Sequence, residues 1–241
     1  MRHFGIIGKP LEHSFSAKYF TDKFLREHID ADYRLLPMDD LHGVGEVLDA
    51  MAGLNVTLPY KQAIIPYLTD IDDMARAIGA VNVLCGRRGY NTDWIGFVES
   101  LRPLLCAEDK RALVLGTGGV SRAVQYGLRQ LGIDFALVSR TPHADVMTYE
   151  AVTADVLSEH TLIVNCTPLG MFPNVDSCPC LPYESIGNKH LLFDCVYNPE
   201  QTLFLRHGMQ QGARVKNGLE MLHIQAEAAW RIWNEDNQSE K

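Results

Sequence analysis

Residues 111–132 read RALVLGTGGVSRAVQYGLRQLG. An apolar run ends in Gly116, more glycines follow at 118 and 119, and Val120, Val124, Leu128 and Leu131 then recur at helical spacing. Strand, glycine turn and helix in this order let the backbone close on a pyrophosphate, because the helix N-terminus presents free N–H groups to it. The third position of this fingerprint, five after Gly116, holds Ser121 instead of glycine. Serine is small, so close packing of helix on sheet survives.

Outward from this segment, short β-type runs alternate with helical stretches, the pattern of an α/β fold. Candidate strands are 4–8, 33–38, 54–58 and 80–85, then 111–116, 135–139, 161–166 and 190–196. The second group is richer in continuous Val, Leu and Ile, which suits a parallel sheet covered on both faces. A helix is expected over 93–106, with the polar break AEDK after it, so a domain boundary is placed near residue 106. A last helix over about 219–234 carries an apolar stripe at Leu219, Leu222, Ala226, Trp230 and Trp233.

The 241 residues, 46% hydrophobic and 22% charged, are enough for a well-buried core. A net charge of −8 with no basic block argues against a nucleic-acid binder. The N-terminal apolar stretch is too short for a signal peptide, and no run reaches the length of a membrane span. Six scattered cysteines sit mostly in apolar runs; the pair Cys178-Pro179-Cys180 has no second pair or histidine cluster to complete a metal site. No metal, free thiols and a reducing cytoplasm are expected.

The end of the strand after the glycine loop chooses between dinucleotides. An acid there would hold ribose hydroxyls and repel a 2′-phosphate; this chain has Ser139-Arg140-Thr141, a guanidinium between two hydroxyls. NADP is favoured over NAD, against the bland reading of a surface arginine in a turn.

The N-terminal half holds polar clusters that packing does not explain. Ser14 and Ser16 follow the first strand; one of them could cap the helix AKYFTDKFL, which leaves the other free. In GLNVTLPYK (53–61), strand alternation puts Asn55 and Thr57 on one face and Leu54, Val56 and Leu58 on the other. Asn55-Val56-Thr57 also fits a glycosylation acceptor, an idle reading without a secretory signal. Lys61 follows near a helix start, where the helix dipole does not favour a cation. Asn82 and the run Asn91-Thr92-Asp93 complete the set, Asp93 being a natural N-cap for the helix it opens.

These blocks, GKPLEHSFS, GLNVTLPYK, AIGAVN, NTD, GTGGVSRA, SRT, NCTPLGM, DCVYNP and NGLEMLHIQA, resemble in order and spacing the shikimate dehydrogenase family, almost end to end. The resemblance implies reversible NADPH-dependent reduction of 3-dehydroshikimate to shikimate, in the chorismate route to aromatic amino acids. It implies two domains: an N-terminal α/β substrate domain over 1–106, onto which the helix 219–241 packs back, and a Rossmann-like NADP domain over 107–218. Carried over by matching motif, Lys61 and Asp93 are the catalytic pair. Ser14 and Ser16 bind the substrate carboxylate, Asn55, Thr57, Asn82 and Gln225 its ring hydroxyls, and Tyr197 lines the site. On the cofactor side stand Gly116, Gly118, Gly119 and Val120, then Ser139, Arg140 and Thr141. Cys166, Thr167, Cys195 and Gly218 approach the nicotinamide half, and Asp73 aligns with a further cofactor position. A monomer or homodimer is expected.

The match has departures. Ala17 stands where the family usually has proline, and Pro142-His143-Ala144 lacks the second basic residue that many relatives place after the arginine. Only PHADV separates the SRT turn from MTYEAV, too little for a normal crossover helix, which is expected to be missing or reduced to a turn. The loop between Asn82 and Asp93 is also trimmed. Three other readings compete: a quinate/shikimate dehydrogenase using NAD, a non-catalytic relative that binds shikimate-like ligands or nucleotide, and a Rossmann-type domain of unknown substrate, which leaves the N-terminal clusters unexplained. Quinate users tend to carry threonine where Ser16 stands, and a sensor would be expected to lose Lys61 or Asp93.

Overall fold

The computed structural model describes residues 1–12, 14–141 and 144–239. Its contacts divide the chain into two compact units, 1–92 with 225–241, and 93–224. His143 lies outside the described residues.

In the first unit the elements are β1 (Arg2–Gly8), α1 (Phe15–Arg26), β2 (Ala31–Pro37), α2 (Val44–Ala50), β3 (Gly53–Val56), α3 (Tyr60–Ala63), β4 (Asp70–Ile71), α4 (Asp73–Ile78), β5 (Val83–Cys85) and β6 (Arg88–Tyr90). They build a mixed sheet of order β2-β1-β3-β5-β6-β4, in which β1 runs parallel to both neighbours and β5 is antiparallel to β3. The parallel register sets Phe4 beside Tyr33 and Gly53, and Ile6 beside Asn55, so these side chains share one face. Alternation sends Ile7, Leu54 and Val56 to the opposite face, where they meet Leu41, Val44, Leu48 and Ile64. The trimmed loop after Asn82 is the β5–β6 hairpin, turned at Gly86 with φ of 54°.

On the first face Phe4, Phe20, Phe24 and Trp233 form an aromatic core with Ala226 and Ala229. The rings of Phe4 and Trp233 are 4.9 Å apart, and the Trp233 indole N–H donates to the Leu84 carbonyl at 2.9 Å. A methyl group at Gly53 would lie 2.4 Å from Trp233 Cδ1. The indole is fully buried and tied by its hydrogen bond, so it has nowhere to move. Gly53→Ala is therefore expected to destabilise the protein by about 1–3 kcal/mol, toward the upper end of overpacking costs. An unchanged midpoint in urea unfolding contradicts this.

The second unit contains α5 (Asp93–Leu101), β7 (Arg111–Leu115), α6 (Gly119–Gln130), β8 (Asp134–Ser139), β9 (Val146–Thr148), α7 (Ala154–Glu159), β10 (Leu162–Asn165), β11 (Leu191–Asp194), α8 (Leu203–Gln210) and β12 (Arg214–Lys216). The strands form one sheet of order β12-β11-β10-β7-β8-β9, parallel throughout. This is the doubly wound arrangement, and its strand order reverses between β7 and β10. The Val and Leu runs are buried on both faces, as their lack of alternation suggested.

Several expectations meet a different arrangement. The helix over 93–106 ends as α-helix at Leu101, and Pro103 sits in a following 3-10 turn. Its Phe97, Val98 and Leu101 pack in the core of the second unit with Val124, Leu128 and Phe193. Residues 93–106 thus stand with the second unit, where the sequence reading placed them in the first domain. Gly127 allows the close approach of α5 and α6: a methyl there would be 2.8 Å from Phe97 Cδ1. The final helix, α9 (Leu219–Ser239), has Leu219 39% exposed, so its apolar stripe starts later than expected. Leu58 is 53% exposed, because β3 ends at Val56 and the alternation ends with it.

Among the described residues no helix lies between β8 and β9. Parallel neighbours normally need a long crossover. Here Leu137 pairs with Val146 and Ser139 with Thr148, so the chain retraces only two residue steps, roughly 7 Å, before the edge strand begins. Residues 140–145 can span that.

Candidate active site

In the first unit the polar side chains collect where the strands end. Asn55, 5% exposed, sits near the end of β3; its Oδ1 accepts from the Tyr33 hydroxyl at 2.6 Å and its Nδ2 donates to the Asn82 carbonyl at 3.3 Å. Burial pushes the Tyr33 phenol well above its ordinary pKa, so this hydroxyl stays a donor. Ser14 occupies the N-cap of α1 without a side-chain cap bond, and Ser16 lies inside the helix, so neither serine side chain caps it.

A second network centres on Asn82. Its Oδ1 accepts from the Thr92 N–H at 2.7 Å, while its Nδ2 donates to Thr92 Oγ1 at 3.1 Å and Gln225 Oε1 at 3.4 Å. Asn82, Thr92 and Gln225 are all buried. Asn91 serves the fold, its amide donating to the Ala80 carbonyl at 2.9 Å. Thr57 is half-buried, its N–H donating to the Ile7 carbonyl at 2.9 Å and so extending the β1–β3 pairing. Lys61 is 8% exposed in α3, and its carbonyl accepts from Val81 N–H at 2.7 Å. A lysine that deeply buried is rare on a folded surface. Asp73 is exposed in the first turn of α4 and belongs to the first unit, while the other cofactor candidates belong to the second.

In the second unit Asp93, 6% exposed, is the first residue of α5. Gly116 follows β7 with φ of 101°, a conformation side chains resist, and a methyl there would be 3.1 Å from Thr167 Cγ2. At Gly118 a methyl would meet nothing within 4 Å, so open space lies over the N-terminus of α6, which no side chain caps. Gly119 begins that helix, Val120 packs under it, and Ser121 is fully buried, receiving a hydrogen bond from Gln125 at 3.1 Å. This cradle, at the switch point of the sheet, fits a pyrophosphate. At the end of β8 the Ser139 hydroxyl accepts from Thr141 N–H at 3.2 Å, and Arg140 is exposed. Its charge acts on Tyr149, whose phenol burial pushes up to about 12.

Across the switch point β10 and β11 end in Cys166-Thr167 and Cys195-Val196-Tyr197. Beneath them lies a carboxylate with no exposure, Asp194. Its Oδ1 accepts from Asn165 Nδ2 and Val196 N–H, each at 3.0 Å, and its Oδ2 from Thr202 Oγ1 at 2.6 Å. Asn165 Oδ1 then accepts from the Thr167 N–H at 3.0 Å and hydroxyl at 2.6 Å. Burial pushes Asp194 up to about 6, the three hydrogen bonds opposing. Gly218 is obligatory, since a methyl there would be 2.4 Å from the Cys195 carbonyl oxygen.

Residues 6–84 match the family model described as the shikimate dehydrogenase substrate binding domain. The NADP shikimate dehydrogenase of Crocosphaera subtropica is 37% identical over 258 residues, 95% of this chain and 89% of the relative. The chain belongs to the shikimate dehydrogenase family. The corresponding enzyme of Caldicellulosiruptor saccharolyticus is 32% identical, over 97% of this chain and 92% of its own length. Among solved structures, the shikimate dehydrogenase of Aquifex aeolicus superposes with a TM-score of 0.88 at 33% identity, covering 98% of this chain and 93% of that one. The Thermus thermophilus enzyme in complex with NADP(H) and shikimate gives 0.85 at 32%, covering 97% and 93%.

The sequence reading missed Tyr33 and the Asn165–Asp194–Thr202 set, and it named Thr92 in a polar cluster without giving it a role. Tyr33 stands in a strand as one more aromatic, and only the register beside β1 brings its hydroxyl to Asn55. Asn165 and Asp194 did carry a signal: each is a polar residue closing an apolar strand, just inside the quoted blocks NCTPLGM and DCVYNP. Among the described residues no helix is long and apolar enough to cross a membrane, and no cluster of three or more His, Cys, Asp or Glu is placed to hold a metal ion.

Proposed function

We propose that the protein reversibly reduces 3-dehydroshikimate to shikimate with NADPH. What carries the proposal is the buried amide and hydroxyl set of the first unit, Asn55, Asn82, Thr92 and Gln225, in a chain of this family. Such a set suits a ring bearing several hydroxyls, because an analogue lacking one leaves a buried partner unpaired. NADPH supplies the hydride when bound. Gly116, Gly118, Gly119 and Val120 hold its pyrophosphate, Ser139, Arg140 and Thr141 its 2′-phosphate, and Cys166, Thr167, Cys195 and Gly218 the nicotinamide half. Asp73 is a further contact on the same reading.

Lys61 donates the proton to the carbonyl oxygen as it becomes a hydroxyl, and takes it back in the reverse direction. Asp93 orients the ammonium and the substrate. Ser14 and Ser16 bind the carboxylate; Asn55, Thr57, Asn82 and Gln225 take the ring hydroxyls, with Tyr33 holding Asn55, and Tyr197 lines the site. The test follows reduced-nicotinamide absorbance with shikimate or quinate, each with NADP+ or NAD+. Reduction of NADP+ by shikimate is expected, and its absence overturns the proposal. Comparable rates with NAD+ overturn only the cofactor choice.

Arg140 gives that choice its own test. It is the charged side chain of the Ser139–Thr141 turn, and a guanidinium–phosphate pair is worth about 1.5–3 kcal/mol. Arg140→Ala is expected to raise KM for NADP+ by about 10–100-fold with little change for NAD+. An equal rise for both cofactors assigns Arg140 to folding instead.

A further inference from the structure

Cys166 and Cys195 follow the last paired residues of β10 and β11, Asn165 and Asp194. The pairing runs one step further, since Cys195 N–H donates to the Asn165 carbonyl at 2.9 Å. The two cysteines thus stand opposite each other on adjacent parallel strands, both against the core that holds Val164 and Phe193. Their sulfurs are 3.9 Å apart and both residues are half-buried free thiols. Neighbouring strands lie about 4.8 Å apart, within the Cα separation a disulfide spans, so side-chain rotation with a small backbone shift brings the sulfurs to bonding distance.

We propose that Cys166 and Cys195 form an oxidisable dithiol at the switch point, closed to a disulfide by a hydroperoxide, and that closure reversibly shuts the cofactor site. The effect on cofactor rests on the reading of this crevice as the nicotinamide site; the crosslink itself does not. The Cys166 thiolate attacks the peroxide oxygen, giving a sulfenic acid and releasing water or alcohol. Cys195 sulfur then attacks the Cys166 sulfur, the S–S bond forms and a second water leaves. Two thiols lose two electrons and one peroxide gains them. The order follows from the surroundings of Cys195, whose thiol is held protonated by its bond with Cys166, by burial and by the charges of Cys166, Asp194 and Asp93.

The pair has little slack around it. A methyl at Gly116 would already lie 3.3 Å from the Cys166 carbonyl oxygen, and one at Gly218 would lie 2.4 Å from that of Cys195. A shift of either strand end is therefore passed to the glycine turn and to the 218 turn.

The test treats the full-length protein with one equivalent of hydrogen peroxide and reads peptide masses without reduction. Cleavage at Lys189 and Met171 puts Cys166, Cys195 and the Cys178–Cys180 pair on separate peptides. The expected result is a 166–195 crosslink, absent in Cys195→Ser and present in Cys180→Ser. NADPH affinity, by fluorescence titration, is expected to fall about tenfold or more, the equivalent of a lost cofactor hydrogen bond or two, and to recover with dithiothreitol. No 166–195 crosslink overturns the dithiol, and a crosslink with unchanged NADPH affinity overturns its effect on cofactor. Reduced protein that binds no NADPH overturns the cofactor reading and with it the shutting of the site, while the masses still decide the dithiol.

Discussion

Lys61→Ala is expected to lower kcat by about 10²–10⁴ while leaving NADPH affinity nearly unchanged. The magnitude is that of a positioned acid: without it the carbonyl oxygen, whose carbon receives the hydride, must take its proton from water. Binding is spared because the residues assigned to cofactor, Asp73 excepted, lie in 93–224, whereas Lys61 belongs to the unit of 1–92 and 225–241. Folding is spared because α3 is also held by the Lys61 carbonyl, which accepts from Val81 N–H, and by the Tyr60 hydroxyl, which donates to the Met38 carbonyl at 2.8 Å. Steady-state kinetics, with a fluorescence titration of NADPH and a urea midpoint, separate the three. Near-normal turnover removes Lys61 from the mechanism, and a lost midpoint transfers it to stability.

Asp194→Ala is expected to destabilise the protein by about 3–5 kcal/mol, because Asn165, Val196 N–H and Thr202 lose a common acceptor in a place water does not reach. The loss also frees Thr167, held through Asn165, and the N-cap of α8, where Thr202 accepts from Leu205 N–H at 3.3 Å. NADPH binding is expected to weaken with it. A pH series separates charge from packing. The folded pKa, raised from 3.8 to about 6, means that the native state binds the proton more tightly than the unfolded chain does. Stability from this group is therefore full below pH 4 and is lost as pH rises through about 6, a change of about 3 kcal/mol. Asp194→Asn does not titrate, so its stability relative to the parent should improve by about that amount between pH 4 and pH 7. A difference that is flat with pH shows that Asp194 has no raised pKa in the folded protein.

The second sheet was the more legible half. Its strands are apolar on both faces, and the glycine turn could only stand between strand and helix. That no helix lies between β8 and β9 among the described residues was expected as well, because chain length alone limits it. The first unit was less open to reading. Its polar residues could be picked out as unexplained by packing, yet capping by Ser14 or Ser16 was a sound local expectation that the fold does not use. Asn55 takes the Tyr33 hydroxyl, a partner 22 positions away that is near only once β2 and β3 lie on either side of β1.

What the sequence alone determined, then, is what depends on local order: the α/β class, the glycine cradle, the arginine after the next strand, and through its ordered blocks the family. Only the tertiary structure decided what depends on register. Parallel pairing sets Tyr33 within reach of Asn55, joins Asn165 to Asp194, and places Cys166 opposite Cys195. Those pairs are separated by 22 to 29 residues of chain, and a hydrogen bond or sulfur contact works over a few ångströms. Local sequence carries no record of that distance; the sheet supplies it.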